Sequence, residues 1–295
     1  MPEAAVSDGV SIAYDTFGEP GEPPVLLVMG LGAQLIAWDE DFCSMLAGRG
    51  RYVIRYDNRD CGRSTKFDDH PVHIGRLMAA VGSGDLPAAR AMLPYSLQDM
   101  ADDGLGLLTA LGIEQAHVVG SSMGGMIAQL MAISHPARVL TLTSMMSSTG
   151  EPAYGRSAPA AQQALFDPRP ADREGYIATS ERALTWSSRR YANLHAIREL
   201  AARSYDRAYY PAGVGRQLGA MLLAGSRADA LKALNVPTLV IHGTDDTLVD
   251  PSGGRRTAEL IPGASLLLIA DMGHDRPREL WDDLCDAIEA HTRLP

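Results

Sequence analysis

Aromatic side chains are scarce in this 295-residue chain, at 6% of positions. Ala, Leu, Met and Gly carry much of the apolar fraction, a composition that favours helices packed on a sheet over an all-β sandwich. Cysteine is nearly absent. Cys43, Cys61 and Cys285 are odd in number and widely scattered, so they read as reduced thiols of a cytoplasmic protein and not as a disulfide framework. No histidine neighbours Cys61 in sequence, which leaves it without the base a reactive thiol needs. No uninterrupted apolar run approaches the length of a membrane span. The opening residues Met1-Pro2-Glu3-Ala4-Ala5 hold no cationic segment followed by an apolar stretch, so no signal peptide is legible. Basic residues are outnumbered: 26 Lys and Arg against 36 Asp and Glu give a formal net charge of −10. A surface that acidic repels phosphate backbones and anionic lipid, so neither nucleic acid nor membrane is an expected partner. H-E-x-x-H and clustered His/Cys spacings are missing too, and no metal or cofactor is expected.

What is present is a rhythm. Short apolar runs rich in β-branched residues recur at Val25-Leu26-Leu27-Val28-Met29, Tyr52-Val53-Ile54-Arg55-Tyr56 and Ala116-His117-Val118-Val119. Three more are Val139-Leu140-Thr141-Leu142-Thr143, Pro237-Thr238-Leu239-Val240-Ile241 and Ser265-Leu266-Leu267-Leu268-Ile269. Near-continuous apolarity is what strands covered on both faces require. Helix-period segments lie between them. One opens at Ser96, with Asp99 three residues on, and stops at Gly112; another follows Ser122 and ends before Pro136; the last covers 279–291. Alternating strands and helices predict an α/β fold with a mostly parallel sheet and right-handed crossovers. The residues up to Gly18 read as an antiparallel edge hairpin turning at Ser7-Asp8-Gly9.

Two stretches break the rhythm. Residues 65–95 hold no strand, and short helices are expected over 73–81 and 85–93, because a structureless loop that long is rare in a compact domain. Residues 147–231 carry only helical patterns, over 160–166, 174–186, 191–208 and 213–224. An all-helical insertion of this kind is expected to form a cap on a core built from residues 1–146 and 232–295.

The third run leads into Gly120-Ser121-Ser122-Met123-Gly124-Gly125, a G-x-S-x-G with a strand before it and a helix after it. Glycines two residues either side of Ser122 let strand and helix approach, so the hydroxyl stands clear at a helix N-terminus whose dipole favours negative charge. Ser121 lacks glycines at both spacings. A serine hydroxyl needs a base within hydrogen-bond reach. Of the eight histidines, His274 alone directly follows a late strand, in Asp271-Met272-Gly273-His274, at the sheet edge where Ser122 opens. His117 starts a strand, His135 and His291 sit on or at the ends of helices, and His242 ends a strand near the acid loop. His70, His73 and His195 fall in the irregular stretches, where a side chain can reach substrate. The orienting acid belongs on a loop between nucleophile and base. His242-Gly243-Thr244-Asp245-Asp246 supplies two aspartates that residue chemistry alone does not separate. For the oxyanion of an acyl-transfer intermediate, the N–H of Met123 and the N–H of Leu31, in Met29-Gly30-Leu31-Gly32-Ala33, are the candidate donors.

These segments together resemble the α/β-hydrolase superfamily, esterase branch, over nearly the whole chain. Similar to that branch are Val28-Met29-Gly30-Leu31-Gly32 with Trp38 and Phe42, the stretch from Arg55 to Ser64, Ser121 to Met126, Ile241 to Asp246, and Gly273-His274-Asp275. Actinobacterial lipase- or esterase-like hydrolases, and more distantly aclacinomycin methylesterases, carry this set. Met29 stands where many members have histidine, a departure without cost if the donor is a main-chain amide. The resemblance implies Ser122, Asp246 and His274 as a triad, since the acid in similar hydrolases closes a G-x-x-D element. It implies a small-molecule carboxylic ester as substrate and no cofactor. Thioesterase, lactonase, C–C bond hydrolase and acyltransferase activities share the same triad, and a binding protein that kept the fold is the alternative outside enzymology. The oligomeric state is not legible.

Overall fold

Side chains alternate across a strand, so a strand buried on both faces must be apolar at every position. In the computed structural model, which describes residues 1–293, eight strands obey or depart from this rule according to their place in one sheet. They are β1 (Glu3–Ser7), β2 (Val10–Phe17), β3 (Pro24–Val28), β4 (Tyr52–Tyr56), β5 (Ala116–Ser121), β6 (Val139–Met145), β7 (Thr238–Gly243) and β8 (Ser265–Ile269), in the order β1-β2-β4-β3-β5-β6-β7-β8. The hairpin β1–β2 and the pair β2–β4 are antiparallel, and every other pairing is parallel. This is the α/β-hydrolase architecture.

Val25 and Leu27 of the central β3 enter the core on one face, with α1 (Glu40–Ala47) and α12 (Trp281–His291). Leu26 and Val28 enter it on the other, and α4 (Leu97–Ala110) and α5 (Met123–Ser134) cover that side. β8 corrects the expectation of two covered faces. It lies at the sheet edge, with Ser265 and Leu266 exposed. The strand order reverses at β3, with β4 on one side and β5 on the other, so a crevice opens at their carboxyl ends.

The short helices expected over 73–81 and 85–93 are α2 (Ile74–Gly82) and α3 (Leu86–Ala91). Ser96 and Asp99 form the full capping box at the start of α4. Three helices had no anticipated counterpart, α1, the short α10 (Ala228–Lys232) and α11 (Ser252–Leu260), the last hidden by Gly253-Gly254. Between β6 and β7 the chain carries only helices: α6 (Pro159–Phe166), α7 (Arg173–Thr179), α8 (Leu194–Ala208), α9 (Pro211–Leu223) and α10 (Ala228–Lys232). The single helix expected over 174–186 is instead α7 followed by a 3-10 turn at Ser180–Thr185. At the break, Thr179 Oγ1 donates to Gly175 and Tyr176 carbonyls and Ser180 Oγ to Ile177, competing with the α-helical ladder. Among the described residues no helix is long and apolar enough to cross a membrane.

Buried ion pairs fix the segment after β4. Arg59 meets Asp103 of α4 through bonds of 2.6 and 2.7 Å, Asp57 receives Arg207 of α8 at 2.7 Å, and Asp60 receives Arg216 of α9 at 2.6 and 2.9 Å. Removing one partner of such a pair strands a buried charge. Asp103→Ala is expected to cost about 3–5 kcal/mol in chemical denaturation. Asp206→Ala, which breaks the exposed pair with Arg173, is expected to leave the denaturation midpoint unchanged. Equal effects would refute the argument.

Candidate active site

β5 ends in a turn that only a particular sequence can make. Ser122 has φ 59° and ψ −122°, a strained combination for a residue with a Cβ. The turn closes because its flanks have none: a Cβ at Gly120 would stand 2.1 Å from the Gly124 carbonyl oxygen, and one at Gly124 would stand 2.2 Å from that of Val28. Ser122 N–H donates to Met145 O at 2.9 Å, tying the turn to β6. Its hydroxyl emerges at the first turn of α5. Ser121, the neighbouring hydroxyl, is buried and takes a hydrogen bond from Arg276 at 2.9 Å.

His274 and Asp246 meet this hydroxyl from the loops after β8 and β7. His274 Nδ1 lies 2.7 Å from Asp246 Oδ2, and His274 Nε2 lies 2.9 Å from Ser122 Oγ. Burial alone would raise the Asp246 carboxyl, but His274 and His242 outweigh it and hold it at about 2. Asp246 is therefore a carboxylate that can only accept, so Nδ1 must carry a proton and Nε2 is left to accept from the serine O–H. Two more donors fix the carboxylate: Leu248 and Val249 N–H reach Oδ1 at 2.9 and 2.8 Å. Among the described residues the half-buried Asp245 carboxylate bonds only to Thr244 Oγ1, at 3.4 Å, so geometry separates the two aspartates. His242 is fully buried behind Asp246. Its Nε2–H donates to Val249 O at 2.8 Å and lies 3.3 Å from Asp246 Oδ2.

The loop after β3 reaches the same place. A Cβ at Gly30 would stand 3.1 Å from Ser122 Cβ and 3.6 Å from its Oγ. Among the described residues the N–H groups of Leu31 and Met123 find no protein acceptor, whereas Gly32 and Ala33 N–H are both engaged. Arg276 was not anticipated from the sequence. Its guanidinium donates to Ser121 Oγ and to Ala37 O at 2.8 Å and lies 4.2 Å from the Trp38 ring, so it joins three loops at once. Burial brings it down to about 10, still protonated at neutral pH. Its one sequence signal is proximity to His274. Segment 186–188 closes the His274 loop from above: His274 N–H donates to Trp186 O at 2.6 Å, and Asp275 accepts Ser188 N–H at 2.9 Å.

Other candidates stand apart. His70, His73 and His195 are exposed and make no hydrogen bond to the three residues. His117 is buried against Thr141, and burial lowers it to about 4. Cys61 is buried, which pushes its thiol up and away from reactivity. The depressed Asp246 value fixes a pH dependence. Its folded value lies below the unfolded value of about 3.9, so its stabilisation is full above that pH and is lost as pH falls toward 2. The stability gap between the protein and Asp246→Asn is expected to be constant above about pH 5 and to shrink steadily below it. A gap unchanged down to pH 2 would contradict the assigned ionisation.

Comparisons with known proteins bear on the family and the fold. The profile of the family described as alpha/beta hydrolase fold matches residues 23–275. The chain is 30% identical to rhodomycin D methylesterase DauP of Streptomyces sp. (strain C5), with 99% of each chain covered. Among solved structures, the enol-lactonase from Burkholderia xenovorans LB400 superposes with a TM-score of 0.73 at 24% identity, covering 99% of this chain and 100% of that one. A meta-cleavage product hydrolase from Pseudomonas fluorescens IP01 gives 0.74 at 21%, covering 99% and 97%. Those two likenesses speak to fold alone. With the profile spanning most of its length and the methylesterase matching it end to end, the chain belongs to the α/β hydrolase fold family and is a hydrolase of that fold.

Proposed function

We propose that the protein is a carboxylic ester hydrolase that works through an acyl-enzyme, with Ser122 as nucleophile, His274 as general base and Asp246 as its orienting acid. The observation that carries this reading is the unbroken chain from Asp246 through His274 to Ser122, at 2.7 and 2.9 Å, beside two unengaged main-chain N–H groups. In the first half-reaction Ser122 Oγ attacks the ester carbonyl while Nε2 takes its proton. The imidazolium that forms is stabilised by the Asp246 carboxylate. Leu31 and Met123 N–H receive the oxyanion, Nε2 returns the proton to the departing alkoxide, and a water repeats the sequence to release the acid.

Residues 147–231 act as the cap over a core of residues 1–146 and 232–295. Contacts of this insertion with the site loops support that role: Trp186 and Ser188 meet the base loop, Thr247 Oγ1 of the acid loop donates to Thr185 O, and Val214 lies against Gly32. Apolar Leu31 and Val214 at the oxyanion loop favour a neutral, hydrophobic ester of moderate size. The similarity to a methylesterase favours a methyl ester among these.

Ser122→Ala is expected to lose about 10⁴- to 10⁶-fold in turnover while keeping the fold, and to escape labelling by a fluorophosphonate. A variant that retains a tenth of the activity would remove Ser122 from the reaction. Asp246→Asn is expected to fall about 10⁴-fold, the scale of the same change in a serine protease, and Asp245→Asn to stay within about tenfold. The reverse ranking would move the acid to Asp245. Across a panel of methyl esters, p-nitrophenyl esters and acyl thioesters, the highest kcat/KM is expected for neutral hydrophobic esters. A preference for highly charged substrates, or for thioesters, would overturn the substrate assignment.

A further inference from the structure

Gln217 is a fully buried amide in the middle of α9. Burying an amide is costly unless its donors and acceptor are matched, and here the matches are main-chain groups of two separate loops. Gly32 N–H donates to Gln217 Oε1 at 2.9 Å, and Gln217 Nε2 donates to Arg59 O at 2.7 Å. The amide orientation is fixed by these partners. Exchanging oxygen and nitrogen would set donor against donor at Gly32 and acceptor against acceptor at Arg59. α9 is seated closely around both bonds. A Cβ at Gly32 would stand 2.8 Å from Val214 Cγ2, and one at Gly213 would stand 2.0 Å from Asp60 O.

Gly32 follows Leu31, whose N–H is one of the two proposed oxyanion donors. Two bonds orient the peptides on either side of Leu31. Gly30 O accepts from Ala33 N–H at 3.3 Å. Across a trans peptide the N–H points opposite to the C=O, so this bond turns Leu31 N–H outward from the turn. At that length it is a weak hold. Among the described residues the only hydrogen bond to the next peptide, Leu31–Gly32, is the shorter one to Gln217. We propose that Gln217 is a positioning residue for the oxyanion hole. By accepting Gly32 N–H, it keeps that group out of the site and leaves Leu31 N–H facing the oxygen of a tetrahedral adduct on Ser122. This rests on the reading of Ser122 as nucleophile and Leu31 as donor. Gln217 acts through the loop, and an inserted helix thereby contributes to transition-state stabilisation as well as to the walls of the site.

The test compares the protein with Gln217→Met, which keeps the length of the side chain and removes both polar partners. Three quantities are read: kcat and KM on one neutral ester, the affinity of a trifluoromethyl ketone, and the affinity of the matching ether. The ketone adds to Ser122 as a tetrahedral alkoxide; the ether has no carbonyl to attack. A misaimed donor is expected to lower kcat/KM and ketone affinity together, by about ten- to a hundredfold, below the 10²- to 10³-fold cost of deleting a donor. KM and ether affinity are expected to stay within about twofold. A folded variant that binds the ketone normally overturns the proposal. So does an equal loss for ketone and ether, which marks general damage. If Gln217→Met does not fold, amide exchange in the unaltered protein decides. Gly32 N–H is expected to be protected with or without ketone, and Leu31 N–H only with it; free exchange at Gly32 overturns the assignment. Failure of the underlying reading looks different, because the unaltered protein would then neither cleave the ester nor hold the ketone at Ser122, and both proposals would fall.

Discussion

How closely α5 can approach the ends of β3 and β5 decides what else can exist at the carboxyl edge of the sheet. The approach is limited by two missing Cβ atoms, at Gly120 and Gly124, each of which would otherwise overlap a backbone carbonyl. Because the helix starts this close, Ser122 stands above the sheet and Met123 N–H opens on the same side as the loop after β3. Val28 and Gly120 are register partners, so the two loops leave the sheet side by side. His274 and Asp246 then need only arrive from the ends of β8 and β7, beyond β6 along the same edge. One steric condition thus aligns residues from four loops spread over most of the chain.

A second layer of control is electrostatic and lies under the site. The segment after β4 places Asp57 and Asp60 in the interior, each satisfied by an arginine from an inserted helix and by main-chain donors, among them Leu35 N–H to Asp57 and Phe67 N–H to Asp60. Buried carboxylates with several charge-assisted bonds hold geometry better than they add stability. α8 and α9 are therefore fastened to the core at the same short segment that follows β4. α6 and α7 have no buried ion pair of that kind among the described residues.

Much of this was legible in the sequence because it is local. The G-x-S-x-G turn, the capping box at Ser96 and the loop histidine after a late strand each declare themselves within a few residues. Asp245 and Asp246 did not separate by residue chemistry, because what distinguishes them is the backbone of Leu248 and Val249 folding back onto one carboxylate. Gln217 and Arg276 were illegible for a different reason. Their partners are main-chain or hydroxyl groups 185, 158, 155 and 239 residues away, and neither a polar residue within a helical pattern nor an arginine on a loop carries a sign of such a partner. The split of the helix expected over 174–186 was hidden as well, since hydroxyl back-bonding competes with periodicity without altering the pattern.

The backbone at Ser122 has a consequence for how such a chain can change over generations. A conformation at φ 59° and ψ −122° is open to glycine and strained for every other residue, by about 1–3 kcal/mol. That exceeds the entropic handicap of glycine, about 0.5–1 kcal/mol in regular elements. Under selection for persistence alone, position 122 would drift to glycine. A serine there stands against the preference of the fold, the position in which the proposed use of its hydroxyl would hold it.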